Sequence, residues 1–218
     1  SELDGAEKWL RESGLEHVRA VRTAPDATPS ACLLRIPMGQ YFGGKSVPML
    51  GIAGVAASPE TRGRGVARAM MTRALQEAAA DGFAISCLYA STLGLYRQVG
   101  YEQAGHQFTT TIPLGRIDVR ERAGDIRPLT DADEPAIREC YTRFAPAFNG
   151  MLDRGEYCWR RVRNFRGTPH SGFGVIGESD RLDGYLFLTQ VRDGRSGFHD
   201  LSLTDVVFTT PAAGRRLL

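Results

Sequence analysis

The stretch Val55-Ala56-Ala57-Ser58-Pro59-Glu60-Thr61-Arg62-Gly63-Arg64-Gly65-Val66-Ala67 joins an apolar run to a long helical pattern through a short loop. Val47 to Ala57 is typical of a buried strand, and apolar residues recur at helical spacing from Gly63 to Ala80. Because this helix begins inside the loop, unpaired backbone N–H groups converge there. Such a cluster of donors is typical of a phosphate site.

The side chains of this loop also suit an anionic ligand. Gly63 and Gly65 permit the close approach of a pyrophosphate, and the helix dipole favours its charge. Arg62 and Arg64 add charge-assisted contacts. The pattern Arg-x-x-Gly-x-Ala is common by chance, so its placement between strand and helix carries the argument. The alternative is a tight turn whose arginines face solvent.

The neighbouring segments predict the fold around this loop. Ala84 to Ala90 predicts a second apolar strand, so strand, helix and strand form a crossover with a parallel pair. Turn-rich segments upstream predict an antiparallel meander. The other predicted elements are a helix at Glu2 to Ser13, strands at Val18 to Val21 and Ala31 to Met38, a short helix at Thr92 to Val99, and a strand at Tyr101 to Ile112. The fold class is α+β, with a mixed sheet flanked by helices.

The pattern restarts in the second half of the chain. We interpret the polar, Arg-rich segment Pro113 to Gly124 as an interdomain connection. Asp125 to Leu129 then predicts a strand, and Thr130 or Asp131 caps the next helix. Further elements are a helix at Tyr157 to Val162, strands at Gly172 to Ile176, Gly184 to Val191 and Asp200 to Phe208, and the start of a helix at Ala212. We predict two domains, residues 1–115 and 124–218.

The loop resembles the acetyl-CoA pyrophosphate loop of GNAT-type N-acetyltransferases, whose pattern is Arg or Gln, x, x, Gly, x, Gly or Ala. A second GNAT signature, Tyr-x-x-x-Gly-Phe or Gly-Tyr, is matched by Leu95-Tyr96-Arg97-Gln98-Val99-Gly100-Tyr101. Together with Gly51 to Ala56 and Leu88-Tyr89-Ala90-Ser91, these motifs are most similar to the enhanced-intracellular-survival family. Ile126-Arg127-Pro128-Leu129-Thr130 resembles the opening of a second GNAT unit.

This resemblance implies two GNAT-like domains and a third, sterol-carrier-like domain. The first domain lacks its opening strand and helix, the chain does not begin with Met, and the second domain stops early. We therefore expect the chain to be a fragment. The second unit shows no Arg-x-x-Gly-x-Gly or Ala loop, so one cofactor site is expected, in the first domain.

The resemblance also implies roles for individual residues. Acetyl-CoA is the co-substrate, and backbone N–H groups of Val55 and Ala57 hold its pantetheine arm and thioester carbonyl beside the small Ala56. Tyr96 is implied as the general acid that protonates the leaving thiolate, with Tyr101 as packing. The cofactor-binding loop residues are Arg62, Gly63, Arg64, Gly65, Val66 and Ala67.

Two of these residues keep an alternative interpretation. Tyr96 is otherwise a half-buried aromatic without a chemical role. Ser91 either touches the cofactor or caps the short helix that follows it. Neither choice is decided by the residues themselves.

The predicted activity is an acetyl-CoA-dependent N-acetyltransferase in which a primary amine attacks the thioester directly. An aminoglycoside, a polyamine or a lysine side chain all fit as acceptor, and the general base is not assigned. The alternative function is a catalytically silent acyl-CoA-binding scaffold or regulatory protein. The resemblance further implies a homo-oligomer, a hexamer in many family members.

Composition excludes several other classes. The 27 basic and 25 acidic residues give a net charge of +2 without long runs of either sign, which argues against nucleic-acid binding. The longest apolar stretch, Val47 to Ala57, is too short to span a membrane, and no signal peptide is recognisable. The four cysteines stand at least 18 positions apart and the histidines lack ligand spacing, so no metal site is predicted. A cytoplasmic protein is expected.

Two further motif matches fail on context. Gly39 to Ser46 satisfies the nucleotide P-loop pattern, but a proline-containing strand follows it where a helix is required. We predict a hairpin loop there, with Tyr41 and Phe42 as a wall of the acceptor pocket. Gly63-x-Gly65 is not a dinucleotide fingerprint, because Arg68 stands where glycine or alanine is needed.

Overall fold

A computed structural model describes residues 2–22, 24–165, 167–177, 180–192 and 199–218. The chain forms two compact units. The first contains Ser1–Gln107 together with Leu152–Tyr157, and the second contains Phe108–Met151 and Cys158–Leu218. Each unit has its own sheet with helices packed against it, so the predicted α+β class is confirmed.

The helices and strands are numbered along the chain. The helices are α1 (Glu2–Ser13), α2 (Val66–Ala80), α3 (Leu93–Arg97), α4 (Glu134–Phe144), α5 (Glu156–Arg163) and α6 (Pro211–Leu217). The strands are β1 (Val18–Val21), β2 (Ala31–Phe42), β3 (Lys45–Ala57), β4 (Ile85–Cys87), β5 (Asp125–Pro128), β6 (Leu152–Asp153), β7 (Asn164–Phe165), β8 (Thr168–Pro169), β9 (Ser171–Ile176), β10 (Leu182–Arg192) and β11 (His199–Phe208).

The first sheet has the order β1-β2-β3-β4, with β6 paired to β2. Strands β1, β2 and β3 form the predicted antiparallel meander. Strand β4 lies parallel to β3, in register from Met49↔Ile85 to Gly51↔Cys87. Helix α2 connects these two strands, so the predicted strand–helix–strand crossover is confirmed.

Helix α2 begins at Val66, whereas the sequence pattern predicts Gly63. Gly63 has φ +75° and Gly65 has φ +74°, and these left-handed conformations cannot belong to a right-handed helix. From Val66 onward the apolar spacing holds, because one face of the helix is buried against β2 and β3. That face consists of Met70, Met71, Ala74 and Ala78.

A buried guanidinium ties β2 to the end of α2. The side chain of Arg35 is 8% exposed, and its Nη2 donates to Oδ2 of Asp81 at 2.5 Å. Nη1 of Arg35 lies 3.7 Å from Oε2 of Glu77, which also accepts from Arg19. Because a buried charge is tolerated only with partners, these ion pairs fix the helix on the sheet.

The hairpin loop predicted at Gly39 to Ser46 is confirmed, whereas a strand predicted later in the chain is not found. Gly39 to Ser46 lies across the β2–β3 hairpin, where Gly43 and Gly44 both have positive φ, as a two-residue hairpin turn requires. The strand predicted at Tyr101 to Ile112 is wrong, since the structure shows no strand over those described residues. Its alternating apolar residues bury little: Phe108 is 84% exposed and Ile112 is 56% exposed.

The second unit contains a sheet of order β11-β10-β9-β5 with antiparallel neighbours. Thr130, not Asp131, is the capping residue. It forms a capping box with Asp133 at a short 3₁₀ turn that leads into α4. Buried side chains of α4, β10 and β11 form the core, namely Ile137, Cys140, Tyr141, Tyr185 and Val207. Over the described residues, no helix has the length and apolar character needed to cross a membrane.

Candidate functional site

Strand β3 has an open edge beyond its pairing with β4. The parallel ladder stops at Gly51↔Cys87, while β3 continues to Ala57. No strand in the described part of the chain pairs with this edge from Ile52 onward. The backbone groups on that edge are therefore available to a ligand.

A β-bulge in β3 decides which N–H groups face the open edge. Cys32 of β2 is opposite Ala56 while Leu34 is opposite Ala53, so β3 contains one extra residue there. Gly54 in the bulge has φ +58°, which favours glycine.

Beyond the bulge, the direction of each N–H group follows from one hydrogen bond. The amide of Ser58 donates to the carbonyl oxygen of Ser30 at 2.9 Å, on the β2 side. Successive N–H groups of an extended strand point to opposite edges. The N–H groups of Ala57 and Val55 therefore face the open edge, and that of Ala56 faces β2.

The loop between β3 and α2 presents a second group of free donors. Helix α2 makes its first internal hydrogen bond from the amide of Ala69 to the oxygen of Gly65. Within the described residues, five amides between Arg62 and Ala69 have no acceptor; they belong to Gly63, Gly65, Val66, Ala67 and Arg68. A Cβ built at Gly63 or Gly65 meets no atom within 4 Å, so the space above these donors is open.

The charge around this loop is positive. Arg62, Arg64 and Arg68 are exposed, and none of them has a carboxylate partner among the residues that the structure describes. Glu60 is the one acidic residue in the sequence from Ser58 to Arg68. Free guanidinium groups beside free helix-terminal amides form a site with the chemistry of an anion-binding site.

A groove of about 450 Å³ lies between β1 and α2 and runs along the helix from Val66 to Glu77. It shares Arg64 and Gly65 with the loop but does not include Tyr96 or the open edge of β3. Glu77 in this groove accepts from Arg19 at 2.9 Å and from Arg73 at 3.1 Å. The hydrogen bond from Arg19 holds the pKa of Glu77 below its ordinary value. Because Arg19 and Arg73 are already paired with Glu77, the open edge of β3 and the loop are the better candidate for an anionic ligand.

Tyr96 lies in α3, within the same apolar cluster as Leu50 and Ile52 of β3. The residue is 6% exposed, and no hydrogen bond joins its hydroxyl group to another described residue. The neighbouring Tyr101 differs, because its hydroxyl group is 2.5 Å from Oγ of Ser86. Burial is the main cause that raises the pKa of Tyr101. Of the two tyrosines, Tyr96 is therefore the one whose hydroxyl proton is not donated to another described residue.

Ser91 is exposed and has no hydrogen bond to any described residue. Thr92, one position later, is the N-cap residue of α3, and it makes no side-chain capping bond. The interpretation of Ser91 as a helix cap is therefore wrong.

Sequence reasoning missed two aromatic residues near the bulge. A Cβ built on Gly54 would stand 2.8 Å from Cη2 of Trp9, so the indole lies against the backbone of the bulge. The Nε1–H group of Trp9 donates to the hydroxyl oxygen of Tyr157 at 3.1 Å. No local pattern signals this contact, because 148 positions separate the two residues.

Tyr41 and Phe42 are not next to the bulge. Tyr41 pairs with Ser46 at the hairpin end of the sheet, and Phe42 is 45% exposed. At about 3.3 Å per residue, Ser46 lies roughly 25 Å along β3 from Gly54. Tyr41 and Phe42 therefore do not line the open edge of β3 beside the bulge. Among the described residues, no three His, Cys, Asp or Glu side chains are grouped to hold a metal ion.

Comparison with known proteins assigns the family. Residues 16–104 and residues 150–218 match two family models, each described as "Acetyltransferase (GNAT) domain". An uncharacterised N-acetyltransferase of Streptomyces avermitilis is 34% identical over 117 residues, which cover 51% of this chain and 29% of that protein. With the crossover and the loop described above, these matches show that the chain belongs to the GNAT acetyltransferase family.

Solved structures extend this similarity to both units. A GCN5-related N-acetyltransferase from Anabaena variabilis matches with a TM-score of 0.85 and 32% identity, over 97% of this chain and 54% of that chain. Eis1 from Mycobacterium abscessus matches with a TM-score of 0.65 and 20% identity, over 92% of this chain and 52% of that chain, which is a likeness of fold. The chain thus spans about half the length of each of these two solved structures.

Proposed function

We propose that this chain carries the acetyl-CoA site of an N-acetyltransferase that moves an acetyl group to a primary amine by direct attack. The main support for the proposal is that one strand–loop–helix segment presents two sets of backbone N–H groups without an acceptor. The open edge of β3 offers the N–H groups of Val55 and Ala57, and the start of α2 offers those of Gly63 and Gly65.

Each group has a separate task in this proposal. The loop amides, with Arg62 and Arg64, hold the pyrophosphate of acetyl-CoA. The open edge of β3 holds the pantetheine arm as an added strand would be held. The N–H group of Val55, next to the bulge, donates to the thioester carbonyl and stabilises the negative charge that develops on its oxygen.

Bond changes at the thioester then need one proton donor. The acceptor nitrogen forms a bond to the acetyl carbon, the carbon–sulfur bond breaks, and the electron pair leaves on the sulfur of coenzyme A. The hydroxyl group of Tyr96, which makes no hydrogen bond to another described residue, gives its proton to that sulfur. The acetylated nitrogen then loses one proton to complete the amide, and this proton restores the hydroxyl group of Tyr96. The base that receives the proton of the acceptor ammonium is not assigned.

Primary amines of three kinds remain as acceptors in this proposal: an aminoglycoside, a polyamine and a lysine side chain. The domain boundaries at 115 and 124, a homo-oligomeric state and a cytoplasmic location remain predictions from the sequence. No residue described above selects among the three acceptors.

Calorimetric titration with acetyl-CoA, followed by a thiol-release assay against these three amines, tests the proposal. Binding with release of thiol on one amine supports the transferase and identifies its acceptor class. Binding without release supports a silent acyl-CoA-binding scaffold. Absence of binding contradicts the proposed site.

A further inference from the structure

A segment that lies far along the chain is built into the first unit. Residues Leu152–Tyr157, here named the strap, belong to that unit, and β6 within the strap pairs antiparallel with β2. Gly39 is opposite Asp153 and Gln40 is opposite Leu152. The strap is therefore held by backbone pairing at its first residues.

Side chains fix the same end of the strap. Oγ of Ser46 donates to Oδ2 of Asp153 at 2.7 Å. The hydroxyl group of Tyr41 also donates to Asp153, and burial together with this carboxylate raises the pKa of Tyr41. A Cβ on Gly39 would collide with Oγ of Ser46, and one on Gly155 would collide with the carbonyl oxygen of Pro37. Such close approach leaves the strap little freedom.

The last residue of the strap holds the indole that lies on the bulge. The hydroxyl oxygen of Tyr157 accepts from Nε1 of Trp9 at 3.1 Å. The far side of this indole, at Cη2 and Cζ3, contacts Gly54. The ring of Trp9 is thus held between Tyr157 and the backbone one residue before Val55, whose N–H group is proposed to bind the thioester carbonyl.

We propose that Tyr157 is a positioning residue that sets the orientation of Trp9 and, through it, one wall of the approach used by the acceptor amine. The inference rests on the proposed function. A fixed indole beside the thioester suits a cationic acceptor, because an ammonium group is attracted to the face of the ring. Tyr157 acts through Trp9 and does not touch the reacting atoms.

Steady-state kinetics of the full chain with Tyr157→Phe tests this role. The variant loses the acceptor of the Trp9 hydrogen bond and keeps the aromatic ring. We expect the KM for the amine to rise about fivefold, while kcat and the Kd for acetyl-CoA stay within about twofold. Tyr41→Phe is the matched control. It removes a tyrosine hydroxyl group that interacts with Asp153, at the other end of the strap from Tyr157.

Fluorescence gives a second readout that does not need turnover. The chain has two tryptophans, so a Trp159→Phe background leaves Trp9 as the single emitter. We expect acrylamide to quench Trp9 more strongly in Tyr157→Phe than in Tyr41→Phe.

The outcomes separate this inference from the function on which it rests. Equal amine KM values in the two variants, equal quenching, or an equal loss of acetyl-CoA affinity would each overturn the role of Tyr157. If the wild-type chain does not bind acetyl-CoA, the proposed function is wrong. The proposed effect of Tyr157 on amine binding is then wrong as well. The quenching comparison still decides whether Tyr157 holds the indole.

Discussion

Tyr96 and Tyr101 pack edge to face with ring centroids 6.2 Å apart, but only Tyr101 has its hydroxyl group in a hydrogen bond within the described chain. The bond runs to Oγ of Ser86, which in turn donates to the carbonyl oxygen of Leu50. Tyr101 therefore helps to fix β4 against β3. Tyr96, on the same apolar cluster, keeps a hydroxyl group that is free for chemistry.

Tyr96→Phe tests this division of roles. We expect kcat to fall by about 10² because the leaving thiolate loses its proton donor, while the Kd for acetyl-CoA stays within about twofold. Tyr101→Phe is the control; it should cost about 1 kcal/mol of unfolding free energy and leave kcat nearly unchanged. Turnover that is unaffected in Tyr96→Phe would remove this residue from the mechanism.

Gly65→Leu tests the phosphate loop. A side chain at this position enters the open space above the free amides, so the Kd for acetyl-CoA should rise at least about tenfold. The substitution also costs about 1–2 kcal/mol of stability because φ is positive. Gly82→Leu is the matched control: Gly82 lies just after α2, has φ +87° and faces open space. If both variants bind acetyl-CoA equally, the loop assignment is wrong.

Arg62→Gln and Arg64→Gln test the electrostatic part of the site. Each should weaken acetyl-CoA binding about three- to tenfold in calorimetry at low salt, because a charge-assisted contact to phosphate is lost. The loss should shrink as ionic strength rises, since salt screens exposed charges. Arg68→Gln, on the exposed side of the first turn of α2, is the comparison variant and should have the smaller effect. Equal losses in all three variants would indicate general charge attraction instead of a defined site.

Asp133 should make the second unit sensitive to acid. Hydrogen bonds from Arg127, and then from the backbone of Thr130, hold the pKa of this carboxyl group well below its ordinary 3.8. A lowered pKa means that the carboxylate contributes stability above about pH 4 and that this contribution is lost as the pH falls through the native pKa. Unfolding by urea at pH 5, 4 and 3, followed by Trp159 fluorescence in a Trp9→Phe background, measures the loss.

Asp133→Asn should lower the unfolding free energy by about 2 kcal/mol at pH 7 and flatten the dependence below pH 4. Asp131→Asn is the control, because the Asp131 side chain is fully exposed although it pairs with Arg163. A wild-type pH profile in Asp133→Asn would contradict the prediction.

Sequence patterns predicted the elements that depend on apolar spacing and turn residues within one segment. The meander, the crossover and the placement of the loop follow from apolar spacing and turn residues, and the structure has all three. The start of α2 was predicted three residues early, because spacing alone does not reveal the left-handed φ of Gly63 and Gly65. The strand at Tyr101 to Ile112 was predicted from alternation, but without a partner strand most of its apolar side chains stay exposed, as Phe108 and Ile112 do.

The sequence by itself determined where the loop that we propose to bind phosphate lies and which tyrosine occupies the family position, since both depend on short motifs. Only the tertiary structure decided which N–H groups of β3 face the open edge, because one extra residue at Gly54 changes the register with β2. It also brought Trp9 and Tyr157 together across 148 positions. A contact between distant residues cannot be predicted from the sequence around either one, because it depends on how the two segments pack together.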